Sequence, residues 1–472
     1  MEPQSDGAQP RVYIVGGGFA GLEAARQLAG APVQVTLLDR RNHHVFQPLL
    51  YQVATASLSP GDISAPIRTV LRGQANCDVA LAKVTGVDLE GRRLFVEGGF
   101  VQYDVLVLAA GATHAYFGND QWATMAPGLK SLEDAIDLRR RILLAFESAE
   151  YEGSPRARQA ALTFGIVGAG PTGVELAGAI KEIAGQTIPE DYRHIDTRTT
   201  RVILFEAGDR VLPAFPEKLS LRAQEDLERL GVEVRLNAPV TDIHPGEIHV
   251  SDEVIPVRNV FWAAGVKASP IGQSLGVPLD RSGRVQVEPD LSVPGHPEVF
   301  VVGDMAAATS AGSDEPVPGV APAALQMGRY VGRIIAREAA ASDGPGSAPD
   351  GPGPAPDRAP FVYRDKGMMA IIGKARAVAT VGRLKVGGFL AWLLWGGVHI
   401  AFLIGFRNRV QVLLGWLWSW FVNARDVRLI TGDATLELES PRPPDFVPEQ
   451  GRESAPGDKR GPKTREEANA SS

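Results

Sequence analysis

The sequence of 472 residues predicts an α/β protein, and three observations support this fold class. One pattern of apolar strand, glycine-rich turn and helix occurs near the start of the chain and again from residue 161. Further apolar runs end in small residues, as the buried strands of a parallel sheet do. Two C-terminal apolar stretches are rich in tryptophan. We therefore expect two units of alternating strands and helices, followed by a helical C-terminal region.

The first copy of the pattern predicts a nucleotide site. It consists of a strand (12–15), a G-x-G-x-x-G turn (Gly16, Gly18 and Gly21), a helix (22–28) and a second strand (33–38) that ends at Asp39. The first glycine permits a sharp turn, the second admits a pyrophosphate close to the backbone, and the third lets the helix pack on the strand. The helix N-terminus offers amide donors to phosphates, and the terminal carboxylate can accept hydrogen bonds from a ribose.

The second copy repeats every part of the first. Its strand (161–167) leads into Gly168, Gly170 and Gly173, its helix covers 174–183, and its next strand (201–205) ends at Glu206. Residues 185–200 are an insertion relative to the first copy. Two complete patterns predict two Rossmann-like dinucleotide-binding domains, whereas one glycine motif alone is a weak signal.

Three later apolar runs end at residues that suit the edge of a ligand site. Residues 103–108 end in Ala109, Ala110 and Gly111, and residues 259–262 end in Ala263, Ala264 and Gly265. A further run (299–302) ends in Gly303 and Asp304. The carboxylate of Asp304 could bind a ribityl or pyrophosphate group, or could cap a helix that begins at residue 305.

Composition excludes several classes of function. The single cysteine, Cys77, excludes a disulfide framework and a redox-active cysteine pair within the chain. His43 and His44 have no Cys, His or carboxylate partner at ligand spacing, so we expect no metal site and a solvated loop there. The formal net charge of −7 hides a basic region, because residues 361–430 hold ten Lys and Arg against two acids. Since that region is also very apolar, an anionic membrane surface is a better partner for it than nucleic acid.

The composition along the chain predicts seven divisions. They are a disordered leader (1–10), a first nucleotide-binding domain (11–115 and 285–340), a second one (116–284), a disordered insertion (341–358), a β-rich continuation (359–385), a membrane-anchoring region (386–430) and a disordered tail (440–472). The first ten residues show no signal-peptide pattern, so the predicted location is the cytoplasmic face of the cell membrane.

The C-terminal apolar region predicts a monotopic anchor over residues 387–428. Residues 387–406 contain no Asp, Glu, Lys or Arg, which by length alone would admit a transmembrane helix. However, five of these residues are glycine, and basic residues flank both ends, so no crossing direction is favoured. Five of the seven tryptophans lie in this region, as at a headgroup boundary. A single span and an oligomer interface remain the alternatives.

Several motifs resemble those of one family. They are YIVGGGFAGLEAA, FQPLLYQVATA, GIVGAGPTGVELAGA, VLPAF, VFVVGDMAA and YRDKGMMAIIG, together with the Trp-rich end. The chain resembles the flavoproteins with two dinucleotide-binding domains, and within them the type II NADH dehydrogenases, which are non-proton-pumping NADH:quinone oxidoreductases. The resemblance covers most of residues 11–430. It implies tightly bound FAD, NADH as a substrate and a membrane quinone as electron acceptor, and it is compatible with a homodimer.

The resemblance also assigns residues to the two nucleotides. For FAD these are Gly16, Gly18, Phe19, Ala20, Asp39, Arg40, Val84, Ala110, Gly111 and Asp304. For NADH they are Gly168, Gly170, Pro171, Thr172, Gly173, Glu206, Ala264 and Gly265. A carboxylate at position 206 would repel a 2′-phosphate, so we expect NADH to be preferred to NADPH, although Arg210 lies nearby in the sequence.

For the quinone and the chemistry, the resemblance implies four residues. Gln47, Pro48 and Gln326 match positions near the flavin ring and the quinone headgroup, and Gln326 is also a predicted catalytic residue. Glu175 matches a carboxylate proposed to handle protons, although a solvent-facing acid in a first helical turn is the alternative. Pro322 replaces a second glutamine that is common in the family, and Lys366 lies in a family motif without an assigned role.

The predicted function is FAD-dependent electron transfer from NADH to a membrane quinone in a respiratory chain. Disulfide reductases and sulfide:quinone oxidoreductases share the fold but require paired cysteines, and the chain has one. A ferredoxin reductase would not need the tryptophan-rich region. A flavin-binding redox sensor or interaction protein that responds to NADH remains the alternative of another class.

Overall fold

The computed structural model describes residues 9–313, 315–341, 357–422, 425, 427–432, 436 and 438. The predicted leader up to residue 8, the predicted insertion from 342 to 356 and the predicted tail from 440 onward lie outside these residues. The described part is an α/β structure with two parallel sheets, as expected.

The first nucleotide-binding domain is built on a sheet of six strands. In spatial order they are Ser292–Val293, His296–Val301, Val105–Leu108, Arg11–Val15, Gln34–Asp39 and Cys77–Leu81. Every neighbouring pair is parallel except the first. Helices Phe19–Gln27 and Ala321–Ala341 pack on each other beside this sheet. The late strand therefore returns to the first sheet, which brings Asp304 to the edge where the first glycine turn lies.

The second nucleotide-binding domain has a parallel sheet of four strands. In spatial order they are Val232–Arg235, Arg201–Phe205, Thr163–Val167 and Asn259–Trp262. The accompanying helices are Leu132–Tyr151, Pro155–Ala161, Pro171–Glu182 and Glu217–Leu230. All five residues of its central strand are buried. In both sheets the strand before the glycine turn lies between the strand that ends in the acid and the strand that ends in small residues, so the duplication predicted from the sequence is confirmed in three dimensions.

Smaller sheets surround these two units. The three-stranded ones are Val84–Asp88 with Arg93–Val96 and Gly99–Gln102, Val240–His244 with Glu247–Val250 and Glu253–Pro256, and Met368–Gly373 with Arg376–Val381 and Leu384–Gly387. The strand pairs are His43–Val45 with Ser64–Pro66, Ala112–His114 with Val266–Ala268, and Val285–Gln286 with Ala306–Ala307. The short helices are Leu50–Ala54 and Ile67–Leu71, with single turns at Gln47–Leu49, Pro60–Asp62, Asp120–Thr124, Ile183–Thr187, Thr197–Thr199, Pro270–Leu275 and Gly303–Met305.

Two expectations need correction. His44, predicted in a solvated loop, is buried in a short strand, and its Nδ1 lies 2.9 Å from the carbonyl oxygen of Gly17. Burial also lowers the pKa of His44. The sequence also predicts one strand over residues 80–89, but these residues belong to two strands of different sheets, because residues 82 and 83 interrupt the strand. Sequence periodicity could not detect either feature, since both depend on contacts with distant residues.

The C-terminal region contains two helices, Phe389–Phe402 and Phe406–Val422, which we call the helical hairpin. Trp395 packs against Trp416 and Trp392 against Trp420, with ring centroids 5.2 and 4.8 Å apart, so the two helices run antiparallel. Among the described residues, no helix combines the length and apolar character that crossing a membrane requires.

Candidate functional site

The first glycine turn is held at the carboxyl edge of the first sheet. Gly16 has a φ of +104°, which only glycine adopts readily, and a side chain there would collide with the carbonyl oxygen of Ala109. A side chain on Gly21 would overlap the carbonyl oxygen of Gly16. Gly18 borders open space and caps helix Phe19–Gln27 without a side-chain hydrogen bond. The first amides of this helix are therefore accessible to a phosphate.

The two acids that end the second strands hold their glycine turns in the same way. The N–H of Gly17 donates to Oδ2 of Asp39 (2.6 Å), and the N–H of Arg41 donates to Oδ1 (2.7 Å). The corresponding bonds to Glu206 come from Ala169 (2.7 Å) and Gly208 (2.8 Å). Each carboxylate keeps lone pairs that a ribose hydroxyl can use, and each lies beside its glycine turn as a dinucleotide requires.

The residues at the first site fit FAD. The turn offers free amides beside a carboxylate, while Ala110 and Gly111 follow the neighbouring strand at the same sheet edge. Among the described residues, Nε2 of His43 and Nε2 of His44 are buried without a hydrogen-bond partner, and His44 contacts Gly17 of the first glycine turn. Buried polar atoms of this kind normally have a partner, so a polar ligand here would satisfy them.

The other residues predicted for FAD lie at or near this edge. Phe19 and Ala20 begin the helix, Arg40 is exposed directly after Asp39, and Val84 begins a strand that packs on the same core. Asp304 lies in the turn Gly303–Met305, and Gly303 is in van der Waals reach of Ala20. The assignment of each residue to FAD stays a prediction.

The residues predicted for NADH surround the second glycine turn. Gly170 caps helix Pro171–Glu182, whose first turn holds Pro171, Thr172 and Gly173. A side chain on Gly168 would collide with the backbone of Ala263 and Ala264, so the strand that ends in Gly265 reaches the turn directly. Arg210 is engaged elsewhere, since its guanidinium donates to the carbonyl oxygen of Pro213 (3.0 Å).

Gln47 lies close to the first nucleotide site. Its Nε2 donates to the carbonyl oxygen of Lys130 (3.4 Å), and Nζ of Lys130 lies 3.9 Å from Oδ2 of Asp304. Pro48 occupies the same turn, Gln47–Leu49. Residues from positions 47, 130 and 304 thus meet at one place. Lys130 was not predicted, because nothing in its sequence surroundings marks it.

Gln326 has both amide hydrogens engaged. Its Nε2 donates to the carbonyl oxygens of Pro322 (3.1 Å) and Arg364 (3.0 Å). Its Oε1 accepts from the N–H of Arg364 (2.9 Å). The side chain therefore ties helix Ala321–Ala341 to the segment that carries Lys366. The predicted roles of Gln326 in catalysis and in quinone binding stay predictions, and Pro322 takes part in this contact through its carbonyl group.

A cavity of about 550 Å³ lies between the helical hairpin and a wall formed by both nucleotide-binding domains and the strand Met368–Gly373. The hairpin contributes four indoles to its wall, from Trp392, Trp395, Trp416 and Trp420. The opposite wall includes Tyr51, Gln52, Glu175, Glu182, Ile371 and Arg425. None of the three residues predicted to bind quinone, Gln47, Pro48 and Gln326, lines this cavity, whereas Glu175, predicted to handle protons, does.

Glu175 is the acid of interest in this cavity. Its Oε1 accepts one long hydrogen bond from the N–H of Ile371 (3.4 Å). Among the described residues, no Lys or Arg lies within ion-pair distance of it. Burial raises the pKa of Glu175 to about 8, because a charged carboxylate is poorly solvated there. Glu175 is partly buried and lines the cavity, and a carboxyl group with this pKa is largely protonated at neutral pH. Its predicted role in proton handling stays a prediction.

A second acid, Glu182, lies about two turns further along the same helix and is paired with a cation. Oε1 of Glu182 accepts from the N–H of Lys374 (2.5 Å), and Oε2 lies 3.2 Å from the guanidinium of buried Arg425. Arg425 also donates to the carbonyl oxygen of Thr55 (2.9 Å), while burial lowers its pKa. This cluster fastens the chain after the hairpin to the cavity wall. Sequence reasoning missed it because its members are far apart in the chain.

The polar side of the cavity extends to the helix after Gln47. Nε2 of Gln52 donates to the hydroxyl of Tyr51 (2.8 Å), and Nε1 of Trp416 donates to Oε1 of Gln52 (2.8 Å). Burial raises the pKa of Tyr51 well above its ordinary value, so this hydroxyl stays protonated. The arrangement offers a polar ligand several neutral donors and acceptors within apolar walls.

Comparison with known proteins gives the family. The family model described as pyridine nucleotide-disulphide oxidoreductase matches residues 10–328. A type II NADH:quinone oxidoreductase of Mycobacterium tuberculosis is 48% identical over 91% of this chain and 93% of its own length. A second such enzyme from that organism is 44% identical over 91% of each chain.

The fold comparison agrees. The structure of NDH2 from Plasmodium falciparum in complex with NADH has a TM-score of 0.78 at 18% identity, covering 90% of this chain and all of that one. The sulfide:quinone oxidoreductase of Aquifex aeolicus has a TM-score of 0.65 at 16% identity, covering 92% and 99%. These structures support the fold, while the single cysteine separates this chain from disulfide chemistry. The chain belongs to the type II NADH:quinone oxidoreductases, within the pyridine nucleotide-disulphide oxidoreductase family.

Proposed function

We propose that the protein oxidises NADH and delivers the electrons to a membrane quinone, without pumping protons. The observation that carries this proposal is the presence of two equivalent glycine turns, each held by a carboxylate, together with an aromatic cavity that Glu175 lines. The relatives in Mycobacterium tuberculosis are named for this activity, and this chain matches almost their whole length.

The proposed binding site of FAD is the first glycine turn with Asp39, and that of NADH is the second glycine turn with Glu206. When bound, FAD supplies a ring that accepts a hydride and gives up electrons singly or in pairs. Asp39 and the glycine turn would hold the adenosine and pyrophosphate of the cofactor, and Asp304 with Lys130 would face its more central part. Glu206 would bind the adenosine ribose of NADH, and its charge would disfavour the 2′-phosphate of NADPH.

Glu175 is the proposed proton carrier for quinone reduction. Reduction of a quinone to a hydroquinone requires protons as well as electrons, and Glu175 lines a largely apolar cavity. A carboxyl group with a pKa of about 8 is protonated at neutral pH, so it can donate a proton to a developing hydroquinone oxygen. The indoles of the hairpin suit a flat aromatic headgroup.

We further propose that the helical hairpin binds the cytoplasmic face of the membrane without crossing it. Its exposed residues are strongly apolar, with Phe406 and Phe421 82% and 80% exposed. Arg383 and Lys385 precede it, and Arg407 and Arg409 lie at its turn. Apolar side chains beside basic ones favour the anionic cytoplasmic leaflet.

Anaerobic mixing of the flavin-loaded protein with NADH, followed by a soluble quinone, tests the reaction. We expect the flavin absorbance to bleach with NADH and to recover with quinone, and NADPH to act much more slowly. Bleaching without recovery would contradict the dehydrogenase proposal and favour the redox sensor. Faster bleaching by NADPH than by NADH would contradict the role of Glu206.

Vesicle flotation tests the membrane contact. Replacing Phe406 and Phe421 together by Ser should lower partition onto anionic phosphatidylglycerol vesicles by tenfold or more, since each buried Phe contributes about 2 kcal/mol. Phe100→Ser, at an exposed phenylalanine of a distant sheet, is the matched control. Unchanged partition of the double variant would contradict insertion by the hairpin.

A further inference from the structure

A strained turn carries an exposed phenylalanine between the two nucleotide-binding domains. The N–H of Asn119 donates to the carbonyl oxygen of Tyr116 (3.0 Å), which closes a four-residue turn. The two central residues, Phe117 and Gly118, have φ values of +52° and +94°. Positive φ at both positions is the type I′ turn, whose first central residue is normally Gly, Asn or Asp. A bulky side chain in this conformation is an outlier.

Burial accounts for little of the choice of phenylalanine at position 117. The side chain of Phe117 is 71% exposed, whereas its aromatic neighbours Tyr116, Trp122 and Trp262 are buried. Tyr116 and Trp122 both pack on Trp262 and form the local core with it. The ring of Phe117 contacts this core only at Trp262, with ring centroids 6.2 Å apart. Phe117 thus combines an unfavourable backbone conformation with little burial, and strained residues of this kind cluster at functional sites.

The ring of Phe117 lies over Gly265. A side chain on Gly265 would collide with this ring, so the glycine allows the two to touch. The contact is held by the backbone, because the N–H of Ala115 donates to the carbonyl oxygen of Gly265 (3.1 Å). Ala264, the neighbour of Gly265, lies against Gly168 of the second glycine turn. The exposed ring is therefore close to the edge of the sheet where the nucleotide is proposed to bind.

The arrangement of the strands shows which half of the nucleotide would lie there. The central strand Thr163–Val167 has Arg201–Phe205 on one side and Asn259–Trp262 on the other. Glu206 ends the first of these neighbours and would bind the adenosine ribose. Gly265 follows the second neighbour, beyond the pyrophosphate site at the glycine turn, where the other half of a dinucleotide lies in this fold.

We propose that Phe117 is a binding residue for NADH, with its ring against the nicotinamide riboside half of the substrate. This inference rests on the proposed function and adds a residue that neither glycine motif marks. Gly265 supplies the space that a side chain would fill, and the exposed face of the phenyl ring supplies apolar contact for a flat ring or a sugar. The turn conformation directs the side chain of Phe117 toward Gly265 at the edge of the second sheet, where it stays largely exposed.

Steady-state kinetics of two variants of the flavin-loaded full chain test the proposal. Phe117→Ala and Phe117→Gly should raise the KM for NADH about tenfold and leave the KM for quinone unchanged. The affinity for ADP-ribose, which has the adenosine and pyrophosphate but no nicotinamide, should also stay the same. Because glycine suits the positive φ, Phe117→Gly should keep or raise the melting temperature, so a binding defect in it cannot come from unfolding.

The controls separate this inference from the proposed function. Phe100→Ala, at an exposed phenylalanine of another sheet, should change neither constant. Phe117→Tyr should retain the KM for NADH. An unchanged KM in both small variants would overturn the role of Phe117, as would an equal loss of ADP-ribose affinity. Failure of NADH to bleach the wild-type flavin would instead overturn the proposed function.

Discussion

The duplicated motif places one glutamate at the same position in each nucleotide-binding domain, and the two have different environments. Glu23 lies two residues after Gly21, as Glu175 does after Gly173. Glu23 is buried against helix Ala321–Ala341, where its carboxylate lies 2.8 Å from the guanidinium of Arg329. Glu175 faces the cavity with one long hydrogen bond and, among the described residues, no cation within ion-pair distance.

The difference comes from what covers each helix. A side chain on Gly328 would collide with the backbone of Ala20, so a long helix approaches the first glycine helix closely and supplies the arginine. Gly178 admits the carbonyl oxygen of Ile372 in the same way, so a β-sheet covers the second helix instead. The element that packs on each helix therefore decides the role of its glutamate. Glu23 is held in an ion pair, whereas Glu175 is available to a molecule in the cavity.

The largest expected effect separates the two glutamates by activity. Glu175→Gln should slow quinone reduction about 100-fold, which is typical of losing a general acid, and leave reduction of the flavin by NADH within about twofold, since hydride transfer needs no proton from this side chain. Stopped-flow measurement of the two half-reactions checks this. Glu23→Gln is the matched control and should leave quinone reduction nearly unchanged, and similar losses in both variants would contradict the comparison.

The second prediction concerns stability and pH. The folded pKa of Glu175 is raised from 4.5 to about 8, so between these values the unfolded chain has lost a proton that the folded chain keeps. Raising the pH across this window therefore destabilises the wild type. Relative to the wild type, the free energy of unfolding of Glu175→Gln should rise by on the order of 5 kcal/mol from pH 4.5 to pH 8, with little further change above.

Denaturant unfolding of the flavin-loaded protein at several pH values measures this gain. Glu23→Gln should instead lose about 1 kcal/mol at neutral pH, because Arg329 is half exposed and loses its partner. A gain for Glu175→Gln that is independent of pH would show that the carboxyl group does not titrate in this window.

The smallest expected effect tests the two elements that pack on the glycine helices, helix Ala321–Ala341 on the first and strand Met368–Gly373 on the second. Gly328→Ala and Gly178→Ala should each lower the free energy of unfolding by about 1–3 kcal/mol, because the added methyl group forces the packed element and the glycine helix apart. Gly328→Ala should release flavin more readily, whereas Gly178→Ala should retain flavin and lower quinone reduction. Flavin content after dialysis and steady-state rates check both outcomes. Equal flavin loss from the two variants would mean that the two packed elements do not support separate sites, one for flavin and one for quinone.

The parts of the site that sequence reasoning predicted are local. Residue types within short segments predict the two glycine turns and the acids Asp39 and Glu206. They also predict the two strands that precede Gly111 and Gly265. A positive φ or a close backbone approach requires glycine at the position itself, so the requirement is visible in the sequence. The helical character of the C-terminal region was also predictable, because it follows from the composition of a short segment.

The sequence by itself therefore determined two dinucleotide folds, the absence of a cysteine pair and an apolar C-terminal region. Only the tertiary structure decided that His44 is buried and that Phe117 lies on Gly265. It also decided that Glu23 pairs with a cation, whereas Glu175 pairs with none in the part of the chain that the structure describes. It also joined Arg425 to Glu182 across the chain. The physical reason is that burial and ion pairing depend on residues distant in sequence, which no local pattern specifies.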